Sequence, residues 1–361
     1  MEKIKKLKKI LKIMNLDGYI VPKNDEFFGE YTPENKDRLK YISNFSGSFG
    51  FALIMKNENF LFVDGRYTTQ AVNECNKKFK IKTIPKENPK RVLKNKKLKI
   101  GFDNNLFTKR TLKYLFDSTK CQLIDLEINL IDRLWKRKKN NKLHKFFSLP
   151  SESIDHNYKK KVNKIIINLE NKKADYHFVT SNENVAWALN IRGKDSKYSP
   201  IPNSYILISK NGEIKFFCDL DKLSQQLRRK FDRIEFIDIE LTSSILSNLK
   251  NKKIVIDSNT CALKFEKIIQ KNNLIIDNDN KIDYLKSIKS KKEIKNIKIS
   301  HIHDGVALTK FIFWLKNNYQ KKNITEISAE NKLLNFRKKN KNFKFLSFPT
   351  ISGTGPNGAI I

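Results

Sequence analysis

Cysteine is scarce in this 361-residue sequence, and so are long apolar runs. The four cysteines, Cys75, Cys121, Cys218 and Cys261, lie far apart with no Cys-x-x-Cys spacing. They read as reduced, mostly buried thiols of a cytoplasmic protein. The richest apolar run, Phe311-Ile312-Phe313-Trp314-Leu315, is five residues long. A bilayer span needs roughly 18–20, so no membrane is expected. Near the N-terminus, lysines break every would-be signal core, no small-residue cleavage pattern follows, and Arg and Ser are not enriched. Ile4, Leu7, Ile10, Leu11 and Met14 instead recur at helical spacing, as in an ordinary surface helix. Also missing are G-x-S-x-G, H-E-x-x-H and Walker patterns, an RNA-binding motif, and aromatic-studded basic strands. Taken alone, these residues display no active site.

What is abundant is positive charge: 73 Lys and Arg against 38 Asp and Glu, a net charge of +35. The lysines are scattered along the whole chain beside many Asn, Ile and Phe, which is drift at exposed positions rather than a built nucleic-acid surface. Non-specific, salt-sensitive contact with polyanions follows from that charge. With 39% hydrophobic and 31% charged residues, the chain can bury real cores, and its length suits two or three domains.

The first 285 residues contain a repeat. Asp17-Gly18-Tyr19-Ile20-Val21 returns as Asp175-Tyr176-His177-Phe178-Val179, and the stretches from Asn44, Asp64 and Asp103 return from Asn190, Asp219 and Asp257. Tyr19/Tyr176, Asn44/Asn190, Asp64/Asp219 and Asp103/Asp257 give offsets of 157, 146, 155 and 154. Four matches in one order predict two copies of one domain. In the first copy, strands are predicted at Tyr19–Val21, Phe51–Met55, Phe60–Val63, Ile81–Ile84 and Lys99–Phe102. Turns at Asn57-Glu58-Asn59 and Asn211-Gly212 make a hairpin in each copy. Helices such as Asp64–Cys75 and Tyr158–Leu169 alternate with the strands, so each copy is an α/β unit with a mixed sheet. Residues 136–153 read as the linker.

Past Tyr284 the pattern turns helical. Ser290-Lys291-Lys292-Glu293 is a capping box, and the helix after it carries Leu308, Phe311, Ile312 and Leu315 on one face. A second helix is expected from Thr325 to Lys338, then a strand at Phe343–Phe348 and a glycine turn. Gly353-Thr354-Gly355-Pro356-Asn357-Gly358 matches G-x-G-x-x-G, yet Pro356 has no amide hydrogen and no helix can follow, which excludes a dinucleotide fingerprint. His301 and His303 point to different sides of a helix and cannot chelate one ion, so one is expected solvated and the other packed. Asp277-Asn278-Asp279-Asn280 opens like a calcium loop, but Ile282 and Ile288 stand where glycine and an acidic ligand are needed, which leaves an acidic turn.

The tail Ser347–Ile361 resembles the entry to the catalytic domain of aminopeptidase P, the Xaa-Pro aminopeptidases of the creatinase/methionine aminopeptidase superfamily. Phe62-Val63-Asp64-Gly65-Arg66-Tyr67, Asn129–Trp135, Asn190-Ile191-Arg192-Gly193-Lys194-Asp195 and Asp304–Leu308 resemble further stretches of that family, in the family's order. The resemblance implies creatinase N-terminal-like α/β domains with mixed sheets at 1–140 and 154–285. It also implies an incomplete start of a pita-bread α+β metallopeptidase domain at 286–361. The implied reaction is hydrolysis of the bond before a proline at the second position of a peptide. Two divalent ions, often manganese, would activate the water.

The family's ligands, two aspartates, a histidine and two glutamates, all lie downstream of Gly358-Ala359-Ile360-Ile361. Residue-by-residue transfer therefore places no catalytic or metal-binding residue here, and no cofactor is expected on this chain. What transfers is a candidate substrate-cleft loop: Ser352, Gly353, Thr354, Gly355, Pro356, Asn357 and Gly358. Ala359-Ile360-Ile361 would begin a strand leading to the metal site. The expectation is an inactive, C-terminally truncated member. The alternatives are a non-catalytic dimerisation or binding protein on the same two domains, and, behind it, a basic nucleic-acid-binding protein.

Overall fold

A computed structural model describes residues 2–359 apart from 76, 138–142, 155–156, 278–280 and 322. Six strands build the first sheet: β1 (Gly18–Pro22), β2 (Phe51–Met55), β3 (Asn59–Asp64), β4 (Lys80–Ile84), β5 (Lys99–Asp103) and β6 (Gln122–Leu126), in the order β4-β3-β2-β1-β5-β6. A short pair, β7 (Phe147–Ser148) and β9 (Ile191–Arg192), ties the end of the linker to the second copy. The second sheet uses β8 (Tyr176–Val179), β10 (Ser204–Ser209), β11 (Ile214–Cys218), β12 (Ile234–Asp238), β13 (Lys253–Ile256) and β14 (Leu274–Asp277). Its order, β12-β11-β10-β8-β13-β14, repeats the first strand for strand. In each sheet a central antiparallel meander is flanked by parallel pairs, the mixed sheet expected from the sequence.

The central strands β1, β2, β3, β10 and β11 are buried on both faces and read as nearly continuous apolar runs, while the outer strands are largely half-buried or exposed. In β1 the alternation sends Tyr19 and Val21 to a core with Leu7, Leu11 and Leu130, and Ile20 to one with Phe51, Phe62 and Phe102. The N-terminal helix Glu2–Ile13 supplies Ile4, Leu7 and Leu11 to the first of these, the packing its apolar stripe predicts.

The repeat is carried by identical hydrogen bonds. Asp17 receives the amide of Lys99 at 2.9 Å and the ammonium of Lys56 at 2.7 Å, while its own amide donates to Lys99 O at 2.8 Å. Asp175 receives Lys253 N at 2.9 Å and Lys210 Nζ at 2.9 Å, and donates to Lys253 O at 2.8 Å. One carboxylate thus splices the start of the first strand to the end of its hairpin and to the parallel neighbour. Asp103 and Asp257 each take the amide and side chain of the asparagine two residues on. Asp64 and Asp219 each cap a short 3-10 turn, and Asn44 and Asn190 both hold the left-handed C-cap of a helix.

The first offset needs correcting. Gly18 pairs with Ile100 as Tyr176 pairs with Ile254, so Tyr19 corresponds to His177, and the offset is 158 rather than 157. The helix expected over Asp64–Cys75 is also divided. Asp64 caps a 3-10 turn (Gly65–Tyr67), and the α-helix runs only over Thr68–Glu74.

The two copies are fastened to each other. Phe27 stacks on Tyr205 at 5.4 Å, Tyr205 Oη donates to Glu26 O at 3.1 Å, and Leu263 N donates to Phe107 O at 2.8 Å. Beyond them, the long helix Lys291–Asn318 opens on the predicted Ser290/Glu293 box, and the helix Glu326–Lys338 opens on Thr325 and Ser328. Arg337 clamps one helix to the other through Asp304 at 2.6 Å.

Phe343–Phe348 is not a strand. A strand is held by a neighbour's backbone groups, and among the described residues none lies beside this segment. Leu308 and Ile312, on the apolar face of the long helix, are solvent-exposed.

Candidate functional site: the glycine loop on the second helix

The loop Ser352–Gly358 is built from the helix beneath it. Thr325 caps that helix: its hydroxyl receives Ser328 N at 3.1 Å, and its own amide donates to Ser328 Oγ at 2.9 Å. This exchange fixes the first turn and aims Glu326 toward the loop. The half-buried Glu326 carboxylate receives Thr354 N at 2.7 Å and Asn357 Nδ2 at 3.1 and 3.2 Å. Its main-chain carbonyl receives Ser352 Oγ at 3.2 Å.

The glycines let the chain close so tightly. A Cβ at Gly353 would stand 2.9 Å from Asn357 O, and Gly355 has φ of 52°, a conformation glycine adopts without strain. A turn bond from Asn357 N to Thr354 O at 3.1 Å completes the loop, and Gly355–Ala359 forms a single 3-10 turn. Ala359 therefore ends in a turn rather than opening a strand, while residues 360 and 361 fall outside the described part. All seven predicted loop residues are brought together. Glu326 was not singled out in the sequence, because 28 residues separate it from Thr354.

The other candidates disperse. His301 and His303 lie on the long helix as expected, but both are exposed, since the face that would pack one of them has no covering element among the described residues. His301 Nδ1 lies 2.9 Å from Ile297 O, an intrahelical contact. Of the acidic turn, Asp277 ends β14 and receives Ser258 Oγ at 2.6 Å, while 278–280 lie outside the described residues. Among the described residues no group of three or more His, Cys, Asp or Glu could hold a metal ion, so this donor set does not fit the pair of ions the resemblance implies. No helix among them is long and apolar enough to cross a membrane.

Two charged groups displaced far from ordinary protonation serve the front copies instead. Burial pushes Lys161 down to about 8, and its ammonium donates to Asn190 Oδ1 at 2.5 Å and Trp187 O at 2.9 Å, pinning a helix end. Glu26 is held down to about 2: burial works to raise it, but the charges of Lys36 and Arg38 outweigh that. Arg38, 2% exposed, ties Glu26 at 2.5 Å to Asp132 at 2.8 Å. Arg38 is buried while the Glu26 and Asp132 side chains are 29% and 31% exposed, and the network ties stretches of chain 94 residues apart into a structural clamp.

Comparison with known proteins gives this geometry a family. Residues 3–134 and 136–293 each match a model of the creatinase/prolidase N-terminal domain. The chain belongs to the creatinase/prolidase family. Its two α/β copies with mixed sheets, predicted from the repeat, are the creatinase-type N-terminal domains that the resemblance implied. Among curated relatives, a probable Xaa-Pro aminopeptidase P of Laccaria bicolor is 30% identical over 378 residues, covering 100% of this chain and 58% of that protein. Xaa-Pro aminopeptidase 1 of Dictyostelium discoideum is 31% identical over 390 residues, covering 100% and 61%.

The X-prolyl aminopeptidase of Caenorhabditis elegans, described as a cytosolic enzyme with a di-nuclear active site, superposes with a TM-score of 0.88 at 26% identity. The match covers 99% of this chain and 65% of that one. The chain thus spans about three fifths of the length of the curated relatives it matches.

Proposed function

We propose that this chain forms the two front domains and the first cleft wall of a cytoplasmic Xaa-Pro aminopeptidase, a hydrolase releasing the residue before a proline. The domains are 1–140, 154–285 and, as the start of a pita-bread unit, 286–361. The peptide lies against the loop Ser352–Gly358. The two divalent ions, manganese by resemblance, are held by residues other than those described, so residues 1–361 alone do not turn over substrate. The observation that carries this reading is the superposition of 99% of the chain on the longer C. elegans enzyme, with a TM-score of 0.88.

The test is an X-Pro peptide assay with added Mn²⁺, comparing this chain with the same chain extended by the region its relatives possess beyond it. The extended chain should cleave and lose activity to EDTA, and the 361 residues alone should not. EDTA-sensitive cleavage by the 361 residues would overturn the assignment of the metal site, and an extended chain inert on X-Pro peptides would overturn the activity.

A second reading, a non-catalytic dimerising or binding protein, is favoured by one observation: Ile302, Val306, Ile312 and Phe313 stand exposed on the long helix. A monodisperse dimer in sedimentation, lost on replacing these residues by serine, would support it. Retention on heparin abolished by moderate salt would reduce the net charge of +35 to non-specific polyanion contact.

A further inference from the structure

We infer that Glu326 is the positioning residue of the cleft loop, a role that rests on the proposed reading of Ser352–Gly358 as a wall of the peptide site. One residue holds the loop at three places. The carboxylate takes the Thr354 amide and the Asn357 side chain, and the carbonyl takes the Ser352 hydroxyl. No other charged side chain bonds the loop among the described residues.

The loop needs such an anchor because its composition works against order. Three of its seven residues are glycine, which lose more freedom on fixing than any other residue type. Bonds to a carboxylate are roughly twice as strong as neutral ones, and a carboxylate in the first turn of a helix is further favoured by the free amides there. Glu326 is itself fixed by the Thr325 and Ser328 exchange on one side and by helix geometry on the other. The order of the loop therefore derives from the helix cap: Thr325 fixes the turn, the turn aims Glu326, and Glu326 sets where Thr354 and Asn357 stand. A cleft wall set in advance binds peptide without an ordering cost, so its loss falls on substrate affinity rather than on bond breaking.

Hydrogen exchange on the 361-residue chain tests this directly, without any catalytic readout. Glu326→Ala should raise exchange at the Thr354 amide about tenfold or more, as losing a charge-assisted bond requires, while the long helix and both sheets stay protected. Glu326→Gln keeps an acceptor for Thr354 N and should recover protection to within about threefold of wild type. Asn357→Ala, which removes only the side-chain contact, should loosen the loop less than Glu326→Ala. Unchanged Thr354 protection in Glu326→Ala overturns the inference, whatever the chain's activity.

In the extended chain, Glu326→Ala should raise KM for an X-Pro peptide about tenfold with kcat nearly constant, and Glu326→Gln should restore most of it. A freed loop with an unchanged KM would leave Glu326 an anchor of the loop but refute its part in substrate positioning. An extended chain with no activity at all counts against the proposed function only, since the exchange result stands apart from it.

Discussion

The two front copies and the helical segment after them use similar apolar residues to opposite effect. In the copies, sheet faces and helices close over one another, so Phe62, Phe178, Phe216 and Phe217 are all sealed. In the long helix only Ala307 is buried, and the second helix buries none. Ile294, Ile297, Ile302, Val306, Ile312 and Phe313 face solvent along the former. The difference lies in partners rather than in composition. Each copy contains both layers needed to hide its apolar faces, whereas two helices clamped by Arg337 and Asp304 make one layer.

The contrast is broken or sharpened first by paired truncations. Phe216, 0% exposed between Phe146 and Phe236, should cost about 3–5 kcal/mol as Phe216→Ala, because a sealed ring leaves a cavity. Phe313, 71% exposed, should cost less than about 0.5 kcal/mol as Phe313→Ala. Urea unfolding followed by tryptophan emission reads both. Equal costs would mean that the long helix is packed in solution and that the contrast between regions fails.

How far the sequence announced this division depends on the range of the interactions involved. Period-two apolar runs, hairpin turns and the capping box at Ser290 are local, and β1 to β5, the mixed sheets and the long helix all appear near their expected places. The repeat was legible because its markers, Asp64, Asp103 and their counterparts, make bonds to residues two positions away. Asp17 was visible as a repeated residue, but its role was not, since its partners are 39 and 82 residues distant. The strand expected at Phe343–Phe348 failed for the same reason in reverse: its residues suit a strand, and nothing local supplies the neighbour. Within the candidate site the loop itself was legible, and Glu326 was not.

A second comparison, between the copies, turns on one position. Tyr19 in the first copy corresponds to His177 in the second, and Tyr19 Oη accepts the Leu130 amide at 3.4 Å, whereas His177 is 3% exposed with no partner for Nδ1 among the described residues. Burial holds His177 down to about 4 from its ordinary 6.5. The folded state therefore binds the proton less well than the unfolded chain. Its contribution is fully present above pH 6.5 and is lost as pH falls from 6.5 through 4, by at most about 3 kcal/mol. Unfolding of the second copy, read from Trp187 with Trp135 and Trp314 replaced by Phe, should steepen over that window. His177→Phe should flatten it. An unchanged pH slope in the variant would show that the ring does not set the acid sensitivity of this copy.

The smallest expected effect tests whether the copies are energetically as well as geometrically alike. The Asp17 carboxylate is held below the usual range by the Lys56 ammonium and the Lys99 amide, and Asp175 by the Lys253 amide and the Lys210 ammonium. Asn in either place keeps an acceptor for the backbone amide but loses the charge. Both lysines are about half exposed, so the ion pair contributes little beyond its hydrogen bond. Asp17→Asn and Asp175→Asn should each cost about 1 kcal/mol, equal within error, with the cost vanishing at a pH low enough to protonate the wild-type carboxylates. Because the two carboxylates belong to different sheets and bond to different residues, the double variant should lose the sum of the single costs. A double variant losing distinctly more would mean that the seam at Phe27 and Tyr205 couples the copies, so that opening one first strand weakens the grip on the other.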